Sequence, residues 1–427
     1  MRFIHAADLH IDSPLRGLNR FEGAPVARLR SATRQALTRL VDLALDEEVD
    51  FVLIAGDLYD RDWQDFHTGL FVREQMVRLG RAGVKVFIVQ GNHDAQGVIS
   101  RQLPWPDNVK VFSSRSAETV KLDELRVAIH GHSFPEREVP EDLVPGYPMA
   151  VPGYVNIGLL HTSLTGAEGH DTYAPTSLDT LRSKGYDYWA LGHVHARQVV
   201  CDEPRVVYPG NLQGRHARET GPKGCELVSV AGGKLDATFV PLDVVRWHQV
   251  DVVLNPSHSL DALPRVVGEA LQAAVAAAGG ERLHAMRVRL TGETPLHTHE
   301  ARQPGTLAAA VQAAAQDLAD ADVWIEKVQL ALRSPVDRAQ LAQRTDALGE
   351  LVRWVDDLAA EPQALASFGQ PVLAEVLDKL PAELRQALTR EAADDVPQWD
   401  DAGAMLALLK DAEATLLAHL NVGEEQP

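Results

Sequence analysis

The segment FIVQGNHDAQG, residues 87–97, runs from the end of an apolar strand straight into a glycine, an amide, an imidazole and a carboxylate. A turn can be made without Asn92, His93 and Asp94 side by side, so their combination calls for a chemical reason. The same junction recurs along the chain. Arg2–Ala6 leads into Asp8 and His10, Phe51–Ala55 into Gly56, Asp57 and Asp60, Val155–Leu160 into His161, and Tyr186–Leu191 into Gly192, His193 and His195. In α/β sheets ligands collect at the carboxyl ends of the strands, so these loops can converge on one site.

Between the strands, RLRSATRQALTRLVDLALDEEVD and HTGLFVREQMVRLGRAG carry apolar residues at helical spacing, which predicts a layered α/β domain over residues 1–240. Leu227–Val230 adds a further strand, and turn residues at Asp202–Pro204 and Gly221–Gly224 predict hairpins. The texture then changes. VVRWHQVDVVL, HAMRVRL and VWIEKVQLAL alternate like strands and are separated by alanine-rich helical runs, which predicts a small α+β domain over 244–333. Ser334-Pro335 reads as a helix start, and residues 334–427 read as acidic and helical, with Leu341, Leu348, Leu351, Val355 and Leu358 on one face.

A chain of 427 residues is long enough for two or three such domains. Two cysteines, Cys201 and Cys225, point to a reducing compartment and leave no thiolate zinc site. The opening MRFIHAADLH has no apolar core of a signal peptide, and no apolar run is long enough to span a membrane, so a cytoplasmic location is expected. A formal charge of −19 argues against a general nucleic-acid coat protein. It leaves room for a local site whose field is set by bound cations.

The donor types narrow the chemistry. Asp, His and Asn without Cys suit divalent manganese, iron, magnesium or zinc. Asp8, His10, Asp57, Asn92, His161, His193 and His195 are too many for a single tetrahedral ion. With one carboxylate shared, they would serve two ions roughly 3.5–4 Å apart.

At these residues the chain resembles the calcineurin-like metallophosphoesterases. DLH (8–10), GDLYD (56–60), GNHD (91–94), the histidine of LLHTS (159–163) and GHVH (192–195) match the family's five blocks in order. HAADLHIDSPLRGL (5–18) and YPGNLQGRHARETGPKG (208–224) resemble, more narrowly, the SbcD-type DNA repair exonucleases in their YhaO branch. The resemblance implies a four-layer α/β/β/α sandwich, followed by a small α+β capping domain and a helical C-terminal region. It places Asp8, His10, Asp57 and His195 on one cation and Asp57, Asn92, His161 and His193 on the other, with manganese foremost and magnesium or iron as alternatives. His93 is then the histidine that binds no metal, faces the scissile phosphate and protonates the leaving oxygen. Asp94 is expected to orient its imidazole. Asp60, where some relatives carry a second catalytic histidine, is expected to structure its loop or to support the site residues from behind, outside the catalytic set.

The implied function is a two-metal DNA phosphodiesterase of DNA repair, an exonuclease with endonuclease action left open. It would work as a homodimer with an SMC-like ATPase of the SbcC or YhaN type. The chain has no Gly-x-x-x-x-Gly-Lys-Ser/Thr loop, so ATP hydrolysis would fall to that partner. A small-molecule phosphodiesterase or phosphatase is the competing enzyme reading, and a metal-stabilised scaffold for the ATPase the competing binding reading. Arg215, Arg218 and Arg16 are candidate substrate contacts, with Arg20 a weaker one. His5 is expected in the core or near the site without being a ligand, and His130 and His132 of IHGHSF in a structural role. HTHE (297–300) is expected in an exposed loop, and Trp247, Trp324, Trp354 and Trp399 as packing anchors.

Overall fold

Strands made of Phe51–Ala55 (FVLIA) or Lys85–Val89 (KVFIV) have apolar side chains on both faces, which suits parallel strands covered on both sides. The computed structural model describes residues 1–13, 25–60, 66–95, 104–164, 173–279, 281–318, 320–381 and 402–420. Arg16, Arg20 and Trp399 lie outside the described residues. The chain divides into two compact units, residues 1–249 with 272–287 and 318–327, and residues 250–271 with 288–317 and 328–427.

The first unit holds two six-stranded sheets. In the first, β1 (Arg2–Ala6), β2 (Phe51–Ala55), β3 (Lys85–Val89) and β4 (Val109–Val111) run parallel. β11 (Gly224–Ala231) and β12 (Lys234–Pro241) extend the β1 edge antiparallel. In the second, β6 (Val127–Gly131), β7 (Val155–His161), β8 (Tyr188–Gly192) and β10 (Arg205–Tyr208) run parallel. β5 (Glu118–Leu122) and β9 (Gln198–Cys201) close its edges antiparallel.

Alternation along the strands explains the layers. Phe3, Phe51, Leu53 and Phe87 of the first sheet pack on Ile129, Ile157, Leu159 and Tyr188 of the second. Phe3 stacks on Phe51 at 5.0 Å and meets the edge of Tyr188 at 5.4 Å. The neighbouring residues Ile4, Val52, Ile54 and Ile88 face outward onto helices α1 (Val26–Asp46) and α2 (Phe66–Arg81). Leu160, Trp189 and Leu191 face outward from the second sheet onto Tyr147, Tyr186 and Leu181 of α3 (Leu178–Ser183). This is the expected α/β/β/α sandwich. In α1 the buried Leu29, Ala32, Thr33, Ala36, Leu37, Leu40, Val41 and Ala44 recur every three or four residues, so one stripe covers the sheet.

Further along come β13 (Val245–Leu254), α4 (Leu263–Ala278), β14 (Leu283–Glu293), α5 (Leu296–Arg302), α6 (Thr306–Gln316) and β15 (Asp322–Arg333). Their strands form a three-stranded sheet in the order β13-β14-β15. In the second unit α7 (Arg338–Ala342), α8 (Ala347–Ala360), α9 (Pro362–Lys379) and α10 (Ala402–His419) follow. Leu341, Val352 and Leu417 share one apolar cluster, and Val355, Leu365, Met405 and Leu409 another. The carboxylate of Glu413 accepts from Arg338 at 2.9 Å, tying α10 to α7.

The structure corrects four sequence expectations. The helix expected at Ser334-Pro335 begins at Arg338, where the Asp337 side chain accepts the Ala339 and Gln340 amides. Gly221–Gly224 leads into β11, and the hairpin falls instead at Gly232-Gly233, between β11 and β12. HTHE lies in the short, half-buried helix α5, because Leu296 is a buried anchor at its start. Trp354 is 44% exposed and meets Phe368 edge-on at 5.1 Å.

Candidate metal centre

The strand-to-loop junctions meet at the carboxyl ends of the parallel strands in both sheets. Loops after β1 and β2 are laced by main-chain bonds, Asp8 N to Gly56 O at 3.1 Å and His10 N to Asp57 O at 3.0 Å. Asp8, His10, Asp57 and His193 all hold φ between +42° and +106°, a backbone region costing non-glycine residues about 1–3 kcal/mol each. Such strain persists only where the surroundings impose it, and here it falls on residues with ligating side chains. Gly56, at φ +90°, is needed for space as well: a Cβ there would lie 2.4 Å from the His161 Nδ1 atom.

Donor atoms crowd at two places. His10 Nε2 lies 3.2 Å from His195 Nε2 and 3.8 Å from Asp57 Oδ2, and Asp8 Oδ1 lies 3.9 Å from His195 Nε2. On the other side of Asp57, His161 Nε2 lies 3.5 Å from Asp57 Oδ2 and 2.9 Å from Asn92 Oδ1. The ring of His193 is 5.2 Å from that of His161, centroid to centroid. Asp57 therefore stands between the two groups. Hydrogen bonds fix which imidazole nitrogen faces inward. The Nδ1 of His161 donates to the Ala55 carbonyl at 2.9 Å and that of His195 to Glu219 at 2.8 Å, leaving both Nε2 lone pairs for a cation.

The electrostatics favour the same occupant. Burial raises the Asp8 carboxyl well above the usual range, helped by the charge of Asp57. Burial likewise carries Asp57 from 3.8 to about 7. His10, His161 and His195 are pushed down, burial again first, and so stay neutral. Buried carboxylates that are costly to ionise, beside imidazoles that resist protonation, form a cage a cation stabilises. Donor spacings of 3–4 Å suit bonds of about 2.0–2.2 Å to a shared ion. The residues present thus fit two divalent ions, with Asp57 the candidate bridge.

Around them the structure revises the role expected of Asp94. Its carboxylate takes the amides of Leu58, Tyr59 and Gly91, at 3.1, 3.0 and 3.2 Å, and so shapes the two ligand loops. The carboxylate on the His93 ring is Asp60, 2.7 Å from Nδ1, which also accepts from Ser13 at 2.5 Å. These bonds from His93 and Ser13 overcome the opposing effect of burial and hold Asp60 down at about 2. His93 itself lines the cavity with Asp57, Asn92, His193 and His195.

That cavity measures about 930 Å³, and Arg197, Arg215, Arg218 and Lys223 line it as well. Arg218 is exposed. The Arg215 guanidinium is mostly buried, 3.1 Å from Glu219 and 3.7 Å from Asp60. Lys223 donates to the His195 carbonyl at 2.7 Å. His5 is buried on the Leu191 carbonyl and the Tyr188 hydroxyl, and His130 sits between Thr119 and Asn156, in the structural roles expected. Trp247 and Trp324 pack together at 6.0 Å. Glu219 was missed from sequence; its only signal is a carboxylate four residues after Arg215 in the loop that follows β10.

Sandwich and centre together define a metal-dependent phosphoesterase. Residues 1–197 match the family model of the calcineurin-like phosphoesterases, and the chain belongs to the calcineurin-like metallophosphoesterase superfamily. Residues 247–333 match the model described as "Metallophosphoesterase YhaO, middle domain". Over 271 residues the chain is 40% identical to the "Uncharacterized metallophosphoesterase YhaO" of Bacillus subtilis, covering 62% of this chain and 66% of that protein's length. Among solved structures it is similar to TT1561 of Thermus thermophilus, with 13% identity, a TM-score of 0.34, and 56% of this chain and 98% of that one covered. It is also similar to a dimetal phosphatase from Danio rerio, with 11% identity, a TM-score of 0.34, and 57% and 96% covered. Among the described residues no helix is long and apolar enough to cross a membrane.

Proposed function

We propose that the protein is a phosphodiesterase of DNA, acting in repair as the nuclease subunit of a complex with an SMC-like ATPase. The observation that carries the reading is the cationic wall of the metal cavity in a chain of net charge −19. Arg197, Arg215, Arg218 and Lys223 line it beside the ligand cluster; Arg197 is paired with Glu226 and Arg215 with Glu219, and Arg218 is the exposed member. Asp8, His10, Asp57, Asn92, His161, His193 and His195 would hold two divalent cations, manganese foremost, which would supply Lewis-acid polarisation of the phosphate. The chain supplies the rest. Arg218 steers the phosphodiester into the cavity. His93, its Nδ1 held by Asp60, presents Nε2 to the leaving oxygen and delivers the proton that oxygen needs. Asp60 stabilises the doubly protonated ring before transfer.

The helical region would dock the ATPase, a role supported by exposed Trp354, Phe368, Val372 and Val376 on α8 and α9. A homodimer is proposed with it. The test is digestion of end-labelled single- and double-stranded DNA with manganese, alongside hydrolysis of bis-p-nitrophenyl phosphate, for the wild type and His93→Ala. The reading expects both substrates to be cleaved and the variant to lose about 10²–10⁴ in rate. Cleavage of the small ester with intact DNA would overturn the DNA assignment in favour of a small-molecule esterase. Cleavage of neither would leave a scaffold.

A further inference from the structure

Glu219 lies directly behind the candidate ligand His195 and is buried. Its Oε1 accepts from His195 Nδ1 at 2.8 Å and from the Arg215 guanidinium at 3.1 Å. Its Oε2 accepts from the Arg215 amide at 2.7 Å and the Asn211 side-chain amide at 2.9 Å. Four donors fill both oxygens, so the carboxylate acts only as an acceptor and His195 must carry its proton on Nδ1. That leaves the Nε2 lone pair aimed at the cluster, 3.2 Å from His10 Nε2 and 3.9 Å from Asp8 Oδ1. His161 has no need of such a partner, because the Ala55 carbonyl fixes it. The two candidate cation sites are therefore held differently, one by main chain and one by a side chain.

We propose that Glu219 is the positioning residue of the first cation site, aiming His195 and holding Arg215 between itself and Asp60. Arg215 lies 3.7 Å from Asp60 Oδ2, and Asp60 in turn holds His93. One chain of contacts thus joins His195, Glu219, Arg215, Asp60 and His93. A glutamine in place of Glu219 cannot reproduce it. If its oxygen accepts from His195, its NH₂ points at the Arg215 and Asn211 donors.

The inference rests on the two-cation reading of the centre and is independent of the substrate. Its test is titration of metal-free full-length protein with manganese, followed by calorimetry and by the spin resonance of the bound ion. The expected wild-type result is two ions. In Glu219→Gln one ion should weaken 10–100-fold, as loss of a carboxylate behind a ligating histidine does, while the other stays within about twofold. The variant's melt in chelator should fall modestly, since the Arg215 and Asn211 donors lose their acceptor, while the site held by His161 keeps its affinity. Should the single variant fail to fold, Glu219→Gln/Arg215→Met, which removes both charges of the pair, carries the same measurement. Two ions of wild-type affinity in the variant would overturn the role of Glu219 alone. Equal weakening of both ions would reduce that role to structural support. No ion in the wild type would overturn the centre itself.

Discussion

Replacing Asp57 by asparagine should make the metal-free protein more stable at pH 8 and less able to use a cation. Burial carries this carboxyl from 3.8 to about 7 in the folded chain, so the native state holds a proton that the unfolded state has already released. A raised value of this kind contributes stability fully present below pH 3.8 and lost as pH climbs through about 7. The rise of about three decades, at 1.36 kcal/mol each, amounts to about 4 kcal/mol. Asparagine has nearly the same shape and never ionises, so Asp57→Asn avoids that loss. Removing the Asp57 charge also eases ionisation of the neighbouring Asp8, which that charge helps to push up, so the variant gains in the same direction from both groups. The assay is urea unfolding of wild type and variant in chelator, in half-unit steps from pH 4.5 to 8. Wild-type stability relative to the variant should fall steadily from pH 4.5 and level off above about pH 7, where the folded carboxyl has also ionised. Manganese at a hundred times its dissociation constant should then return about 2.7 kcal/mol to the wild type and much less to the variant. Parallel curves in chelator would refute the reasoning, because Asp57 would then pay no penalty for being charged.

Asp60→Asn should cost about 10–100-fold in turnover of a phosphodiester while manganese stoichiometry stays at the wild-type value, since Asp60 holds the ring of His93; steady-state kinetics beside a metal titration checks it. Gly56→Ala places a methyl group 2.4 Å from the His161 Nδ1 atom at a φ of +90°, so denaturant melts should show a loss of about 2 kcal/mol or more, with weakened metal binding. Arg338→Met strands the buried Glu413 carboxylate and should cost about 2 kcal/mol, read as earlier unfolding of the helical region by hydrogen exchange.

The sandwich was legible because its central strands are short apolar runs, each followed by chemistry-bearing residues. What escaped notice were strands such as Val109–Val111 and Glu118–Leu122, which are half polar because they lie at sheet edges and keep one side in water. The convergence of the candidate ligands was legible for a related reason, since spacing behind a strand end fixes where a side chain arrives. The support of His93 was not. Asp94 adjoins it in sequence, but the turn bends that carboxylate back onto three main-chain amides, while Asp60 reaches the ring from a different loop. Glu219 was hidden in the same way, because its position behind His195 depends on a loop folding back over the centre. Trp354 misled because aromatic size predicts burial only on average.

Asp8, His10, Asp57 and Asn92 follow strands of the first sheet, whereas His161 ends a strand of the second and His193 and His195 follow another. Each proposed cation therefore acts as a stitch across the seam between the sheets, drawing donors from both. During synthesis neither stitch can be completed while the second sheet is still emerging from the ribosome, and the first must wait for residue 195. Cation loading would then report that both layers have formed and met, and a nascent chain halted before that point would lack donors for both proposed sites.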